Sequence, residues 1–250
     1  MKPPPYEYHA PSTVEEACEL LSSLEDAKVL AGGQSLIPLL NFRLARPAHL
    51  VDINRLVGLD AIYGRDGGVA VQALARQAAL EDSQVVARVC PLLTAAVRLV
   101  AHRVIRNRGT VCGSLAHADA ASELPAVLLA LGGHVIARST RGDRVIQACE
   151  LFTGVFETSL AADELLVEAW FPESRGPIAI IEESRRHGDF ALAGVVRAGG
   201  TLALFGVAPT PVLADPADPA RGLQPSGDLE ATPEFRRHLV QVLTEKAFAA

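Results

Sequence analysis

Lys28-Val29-Leu30-Ala31-Gly32-Gly33-Gln34-Ser35-Leu36 is the stretch that decides the fold. A short apolar run, 28–31, stops at two glycines, and residues 36–44 resume with partly helical spacing. The run is too short for a helix and reads as a buried strand ending in a turn. Upstream, Ser12-Thr13-Val14-Glu15-Glu16 spells a helix start, with Thr13 placed to cap and Glu16 to complete a capping box. Val14, Ala17, Cys18, Leu21 and Leu24 follow at helical spacing as one apolar stripe. Downstream, His49-Leu50-Val51-Asp52-Ile53 reads as a second strand. Helix, strand, glycine turn, helix and strand in this order make a small α/β unit with parallel pairing.

From about Leu56 the texture changes to short strands with glycine punctuation. Gly67-Gly68 precedes a strand over 69–74, and Pro91 opens a helix whose buried face is Leu92, Leu93, Ala96, Leu99 and Val100. A further helix over 122–131 stops at Gly132-Gly133. Residues 134–139 and 143–147 flank Thr140-Arg141-Gly142 as a hairpin, and 165–171 is one more strand, closed by Pro172. Gly176-Pro177 marks a boundary. Beyond it lies a smaller region that ends in a helix from Thr232-Pro233-Glu234, with Phe235, Leu239, Val242 and Leu243 on one side. The proline-rich segment 214–227 has no periodicity and reads as a loop.

Composition narrows the function. The 250 residues carry 23 Lys+Arg against 29 Asp+Glu, a formal net charge of −6, with 49% apolar residues. That is ample material for a packed core, and the acidic balance argues against a nucleic-acid partner. No apolar stretch approaches the roughly 20 residues of a membrane span. The N-terminus has neither an apolar segment nor a small-residue cleavage site, so no secretory signal is read and the cytoplasm is the expected location. Cys18, Cys90, Cys112 and Cys149 are widely spaced, with no C-x-x-C pair and no histidine at metal-ligand spacing, so they read as free thiols and no metal ligands are assigned.

Two segments invite a ligand. In the first, Gly32 and Gly33 let the backbone turn sharply and bring N–H groups close to an anion, with Gln34 and Ser35 adding donors. An ordinary left-handed turn is the alternative. The second runs Arg103-Val104-Ile105-Arg106-Asn107-Arg108-Gly109-Thr110-Val111-Cys112-Gly113-Ser114, then Leu115-Ala116-His117-Ala118-Asp119 and Ser122-Glu123-Leu124-Pro125. Its small residues permit close backbone approach, its hydroxyls suit phosphate oxygens, and its arginines read equally as a solvated or salt-bridged helix end. Two such segments, without a Walker lysine or a G-x-G-x-x-G, suggest one extended ligand with a diphosphate held from both sides.

The pairing of Ala-Gly-Gly-Gln-Ser with Thr-x-x-Gly-Ser-Leu-Ala-x-Ala-Asp resembles the FAD-binding, or medium, subunit of the molybdenum hydroxylases. This group includes the aerobic carbon monoxide dehydrogenases and the flavin domain of xanthine dehydrogenase. The resemblance continues through Leu44-Ala45-Arg46-Pro47 and Leu50-Val51-Asp52-Ile53-Asn54, then Arg185-Arg186-His187-Gly188-Asp189-Phe190-Ala191-Leu192-Ala193-Gly194-Val195. Gly206-Val207-Ala208-Pro209-Thr210-Pro211-Val212 and a closing helix within 228–243 complete it.

The resemblance implies an α+β fold. A vanillyl-alcohol-oxidase (PCMH)-type FAD-binding domain over 1–175, with subdomains at about 1–55 and 56–175, would precede a small α+β C-terminal domain over 176–250. Carried over position by position, Val29, Leu30, Ala31, Gly32, Gly33, Gln34, Ser35 and Leu36 would wrap the FAD diphosphate, and Thr110, Val111, Cys112, Gly113 and Ser114 would form a second diphosphate loop. Val100 and Leu160 would line the flavin pocket, Glu123 stands where relatives usually have Asp, and Ile181 would lie near the isoalloxazine. Catalytic residues are not implied: the cofactor supplies the redox chemistry. His187 and Asp189 read as a turn.

The implied role is electron transfer in an oxidoreductase. A large molybdopterin subunit and a small iron–sulfur subunit with 2Fe–2S clusters would complete a heterotrimer, arranged as a dimer of heterotrimers, with Arg106 or Arg108 facing the iron–sulfur subunit. A stand-alone FAD oxidoreductase and a flavin-free structural subunit are the alternatives. Departures from the pattern are Cys112 where relatives usually have Gly, Glu123 for Asp, and a C-terminal domain shortened at 195–204 and lacking a helix over 214–227.

Overall fold

The computed structural model describes residues 2–249. The N-terminal unit is a three-stranded parallel sheet in the order Glu7–His9, His49–Asp52, Ala27–Leu30. Its helix, Val14–Ser23, starts as the sequence indicates: Thr13 caps it by accepting from the Glu16 N–H at 3.1 Å. Glu16 reaches back past Thr13. Its carboxylate accepts from the backbone N–H of Ser12 at 2.7 Å and from the Ser12 hydroxyl at 3.1 Å, so the box closes one residue earlier. The edge strand Glu7–His9 had no sequence signal, because three residues cannot display a period.

The second unit is a five-stranded antiparallel sheet in the order Ile62–Arg65, Gly68–Gln72, Leu165–Pro172, His134–Ser139, Gly142–Gln147. Asp66 and Gly67, with φ of 51° and 71°, supply the two left-handed residues a tight hairpin requires. Against this sheet pack the helices Val111–His117 and Glu123–Leu131, with the helix Pro91–Leu99 laid against the latter. Residues 123–130 are all buried, because a second layer covers the last helix from the other side. A helix apolar around its whole circumference is stable only between two layers.

That further layer is a four-stranded antiparallel sheet in the order Ile178–Glu183, Ala193–Ala198, Thr201–Phe205, Val212–Ala214. One face joins the main core through Val196, Ala203 and Phe205, and the other forms a small core with the C-terminal helix Pro233–Ala249. Residues 214–227 contain no helix, as the prolines predict; short turns such as Asp218 N–H to Asp215 C=O at 3.1 Å carry the chain. The last helix buries Arg236, Leu239, Val240, Leu243, Thr244 and Ala247. Phe235, expected on that face, is exposed: the inward stripe begins one residue later, at Arg236. No helix among the described residues is long and apolar enough to cross a membrane.

Candidate cofactor-binding site

The strand Ala27–Leu30 delivers the first glycine turn, 31–35, in front of the helix Leu36–Asn41. Gly33 has φ +75°, a left-handed conformation that glycine adopts without penalty. Within the turn, Gln34 Nε2 donates to the Gly32 carbonyl at 3.3 Å, and Ile37 N–H to that of Gly33 at 3.0 Å. The backbone N–H groups of Gly32, Gly33, Gln34 and Ser35 meet no acceptor among the described residues. Gln34 and Ser35 are exposed, so this row of donors is open at the surface.

The second segment differs from expectation. Thr110 to Ser114 do not form a loop: Thr110 caps the helix Val111–His117, accepting from the Gly113 N–H at 3.0 Å. Gly109 and Val111 are stitched to the neighbouring segment by Gln77 N–H to Gly109 C=O at 2.9 Å and Val111 N–H to Ala75 C=O at 3.3 Å. Cys112 turns inward, where its thiol donates to the Val71 carbonyl at 3.4 Å and burial pushes its pKa up. Its β-carbon therefore crowds no ligand. The tight position is Gly113, where a β-carbon would stand 2.5 Å from Thr110 Oγ1.

The two turns touch. A β-carbon on Gly32 would lie 2.5 Å from the Arg108 carbonyl oxygen and 2.9 Å from Gly109 Cα. Residues far apart in sequence thus make one continuous surface, and only glycine at position 32 permits the contact.

Val100 follows the helix Pro91–Leu99, and Ala101 beside it has φ +43°, an uncommon conformation for a residue with a β-carbon. Arg106 holds this bend: Nη1 donates to the Val100 and Ala101 carbonyls at 2.8 and 3.1 Å, and Nε to Glu81 at 3.0 Å. Only 7% exposed, Arg106 is committed to the interior, so of the two arginines expected at an interface only Arg108 has an exposed side chain. Arg103 pairs with Glu81 and Asp82, whereas Arg108 is exposed. Leu160 is half-buried against the main core.

Glu123 opens the central helix with its carboxyl buried, and burial, with Glu182 and Asp119 nearby, pushes its pKa up to about 8. Glu182, also raised by burial, to about 7, comes from the C-terminal sheet, and its Oε2 has no partner. Side chains alternate along the strand Ile178–Glu183: Ile178 and Ile180 face the main core, and Ala179 and Ile181 the small C-terminal core. Ile181 therefore packs toward the small C-terminal core, and Glu182 shares the opposite face with Ile178 and Ile180. The strand's period of two was the signal for this.

Elsewhere, a cleft of about 390 Å³ is lined by Asp119, Ala121, Phe190, Leu192, Asp228 and Arg236, none of them among the residues expected to bind the cofactor. His187 and Asp189 lie in a turn closed by Asp189 N–H to Arg186 C=O at 3.0 Å, as read. Glu7, His9 and His49 converge on the parallel sheet, with His9 Nε2 and His49 Nδ1 hydrogen-bonded at 3.1 Å. Their separation in sequence hides this cluster from spacing arguments.

Residues 4–174 match the family described as the FAD binding domain in molybdopterin dehydrogenase. The chain is 50% identical over 197 residues to 6-hydroxypseudooxynicotine dehydrogenase complex subunit alpha of Paenarthrobacter nicotinovorans, covering 78% of this chain and 67% of that one. It is 39% identical over 222 residues to the carbon monoxide dehydrogenase medium chain of Hydrogenophaga pseudoflava, covering 84% and 77%. A solved carbon monoxide dehydrogenase from H. pseudoflava, lacking the Mo-pyranopterin moiety of its cofactor, superposes with a TM-score of 0.94 at 33% identity over 100% of this chain and 98% of that one. The chain belongs to the family of FAD-binding domains of the molybdopterin dehydrogenases.

Proposed function

We propose that this chain is the FAD-binding subunit of a molybdenum-hydroxylase-type complex, with the FAD diphosphate bound where the two turns meet. The contact between Gly32 and Arg108–Gly109 carries the reading, since it joins open backbone donors on one turn to the capped start of a helix on the other. The residues fit the cofactor: free N–H groups suit phosphate oxygens, and the buried Glu123 carboxyl, with no side-chain partner among the described residues, suits the hydroxyls of a polyol.

Under this reading residues 29–36 and 110–114 hold the diphosphate, with the inward Cys112 acting as support. Val100 and Leu160 border the ring, and Glu123 meets the ribityl side. The backbone of Ile181 and the carboxyl of Glu182 would close the site from the C-terminal sheet. Residues 1–175 form the FAD-binding domain and 176–250 its C-terminal cover. Bound FAD supplies the redox chemistry, while the protein fixes its place and its surroundings.

The partners follow from the relatives, which are subunits of dehydrogenase complexes. A small iron–sulfur subunit would deliver electrons and a large molybdopterin subunit would oxidise substrate, in a dimer of heterotrimers in the cytoplasm. The four cysteines here are free and Cys18, Cys90 and Cys112 are buried, so under this reading the clusters belong to the partner. Affinity purification of the tagged chain from its native host, with metal analysis, tests this. Co-purification of two further subunits carrying molybdenum and iron is expected; a chain that purifies alone and turns substrate over unaided would overturn it.

A further inference from the structure

Arg76 lies beneath both turns. Its Nη1 donates to the Arg108 carbonyl at 2.7 Å, the same oxygen that abuts Gly32. Its Nη2 donates to Asn54 Oδ1 at 2.6 Å, and Asn54 Nδ2 in turn donates to the Ala31 carbonyl at 2.8 Å. One guanidinium therefore ties the carbonyl that opens the first turn to the carbonyl that opens the contact on the second.

The link is held in one orientation. Asp52 Oδ1 accepts from the Asn54 backbone N–H at 2.9 Å and from its Nδ2 at 2.6 Å, and Asp52 Oδ2 accepts from the Tyr8 hydroxyl at 2.6 Å. The Asn54 amide must then present its oxygen to Arg76 and its nitrogen to Ala31. Arg76 is half-buried, and no carboxylate among the described residues lies within salt-bridge distance of it; its direct partners are neutral oxygens. Its charge remains available to a dianion bridging the turns.

Drawing the Ala31 carbonyl inward turns that trans peptide so that the Gly32 N–H points the other way, whereas the Gly109 N–H is taken by the Ile105 carbonyl at 2.8 Å. A lysine could not reproduce the link, because its single ammonium lacks the planar fork that reaches two acceptors in fixed directions.

We propose that Arg76 is the positioning residue that sets the spacing of the two turns for the FAD diphosphate, through Arg108 C=O on one side and Asn54 on the other. The proposal rests on the reading of the turns as the diphosphate site. Flavin titrations of the full chain, with FAD and with riboflavin, which has no phosphate, test it together with thermal melts. Arg76→Met should weaken FAD by about 10- to 100-fold, the range of one or two charge-assisted hydrogen bonds. Riboflavin binding and the melting temperature should stay close to wild type. Arg76→Lys should recover only part of the loss, and Asn54→Ala, which cuts only the tether to Ala31, should show the same selectivity with a smaller effect.

Equal weakening of FAD and riboflavin would make Arg76 merely structural and overturn the proposal, as would unchanged FAD affinity in both Arg76→Met and Asn54→Ala. If Arg76→Met does not fold, the FAD-to-riboflavin ratio of Asn54→Ala decides alone. A wild-type chain that binds riboflavin as tightly as FAD would instead refute the diphosphate reading on which the proposal stands.

Discussion

The Arg108 carbonyl oxygen lies 2.5 Å from the point a β-carbon on Gly32 would occupy. Both atoms in that clash would be rigidly placed, because Arg108 is fixed by Arg76 and Gly109 by Gln77. Gly32→Ala must therefore push the turns apart. Overpacking of this kind costs about 1–3 kcal/mol, and the expected result is FAD binding weakened by tenfold or more. Gly200→Ala, where nothing lies within 4 Å, should bind FAD normally. Fluorescence titration of both variants checks the pair.

Cys112, expected to stand where the family pattern has glycine, belongs to the core. Cys112→Gly should not improve FAD affinity. It should destabilise the chain by about 1–2 kcal/mol, from the helix cost of glycine and the cavity left beside Val71. Chemical denaturation measures the loss. In the native chain a thiol reagent should modify Cys149 and leave Cys18, Cys90 and Cys112 untouched until unfolding.

Glu123 and Glu182 have pKa values raised to about 8 and about 7. The unfolded chain releases these protons near pH 4–5, so the folded state binds more protons between there and pH 8. Stability from these groups is full below that range and declines as pH rises through the folded values. Glu123→Gln should flatten the pH dependence and raise the melting temperature of the flavin-free chain at pH 8, by about 2–4 °C per kcal/mol recovered. Melts at pH 5 and pH 8 test the sign.

Arg106 is the strut of the Val100–Ala101 bend. Arg106→Ala leaves Glu81 with Arg103 as its remaining cation and frees two carbonyls, and a loss of about 1–3 kcal/mol is expected. Arg108→Ala, at an exposed side chain whose backbone does the work, should stay within about 0.5 kcal/mol of wild type. Urea titrations separate the two.

Much of this was legible in the sequence because it is local. Gly32-Gly33 after an apolar run announced a turn after a strand, Gly132-Gly133 a helix stop, and the prolines of 214–227 the missing helix. The chemistry of the site was legible only through the family pattern. What stayed hidden depends on residues brought together by topology: Gly32 against Arg108, Arg76 between Asn54 and Arg108, Glu182 near Glu123. No period or spacing encodes those pairs. Cys112 misleads for a related reason, since a loop and the first turn of a capped helix share the same small residues, and only the Thr110 cap tells them apart.

The central claim is that this chain itself holds FAD across the two turns. Acid release and quantification of flavin from the purified full chain, after incubation with FAD and gel filtration, tests it most directly. The account predicts close to one FAD per wild-type chain and strongly reduced retention for Gly32→Ala. A folded wild-type chain that retains no FAD, or a Gly32→Ala variant that retains as much as wild type, would contradict it.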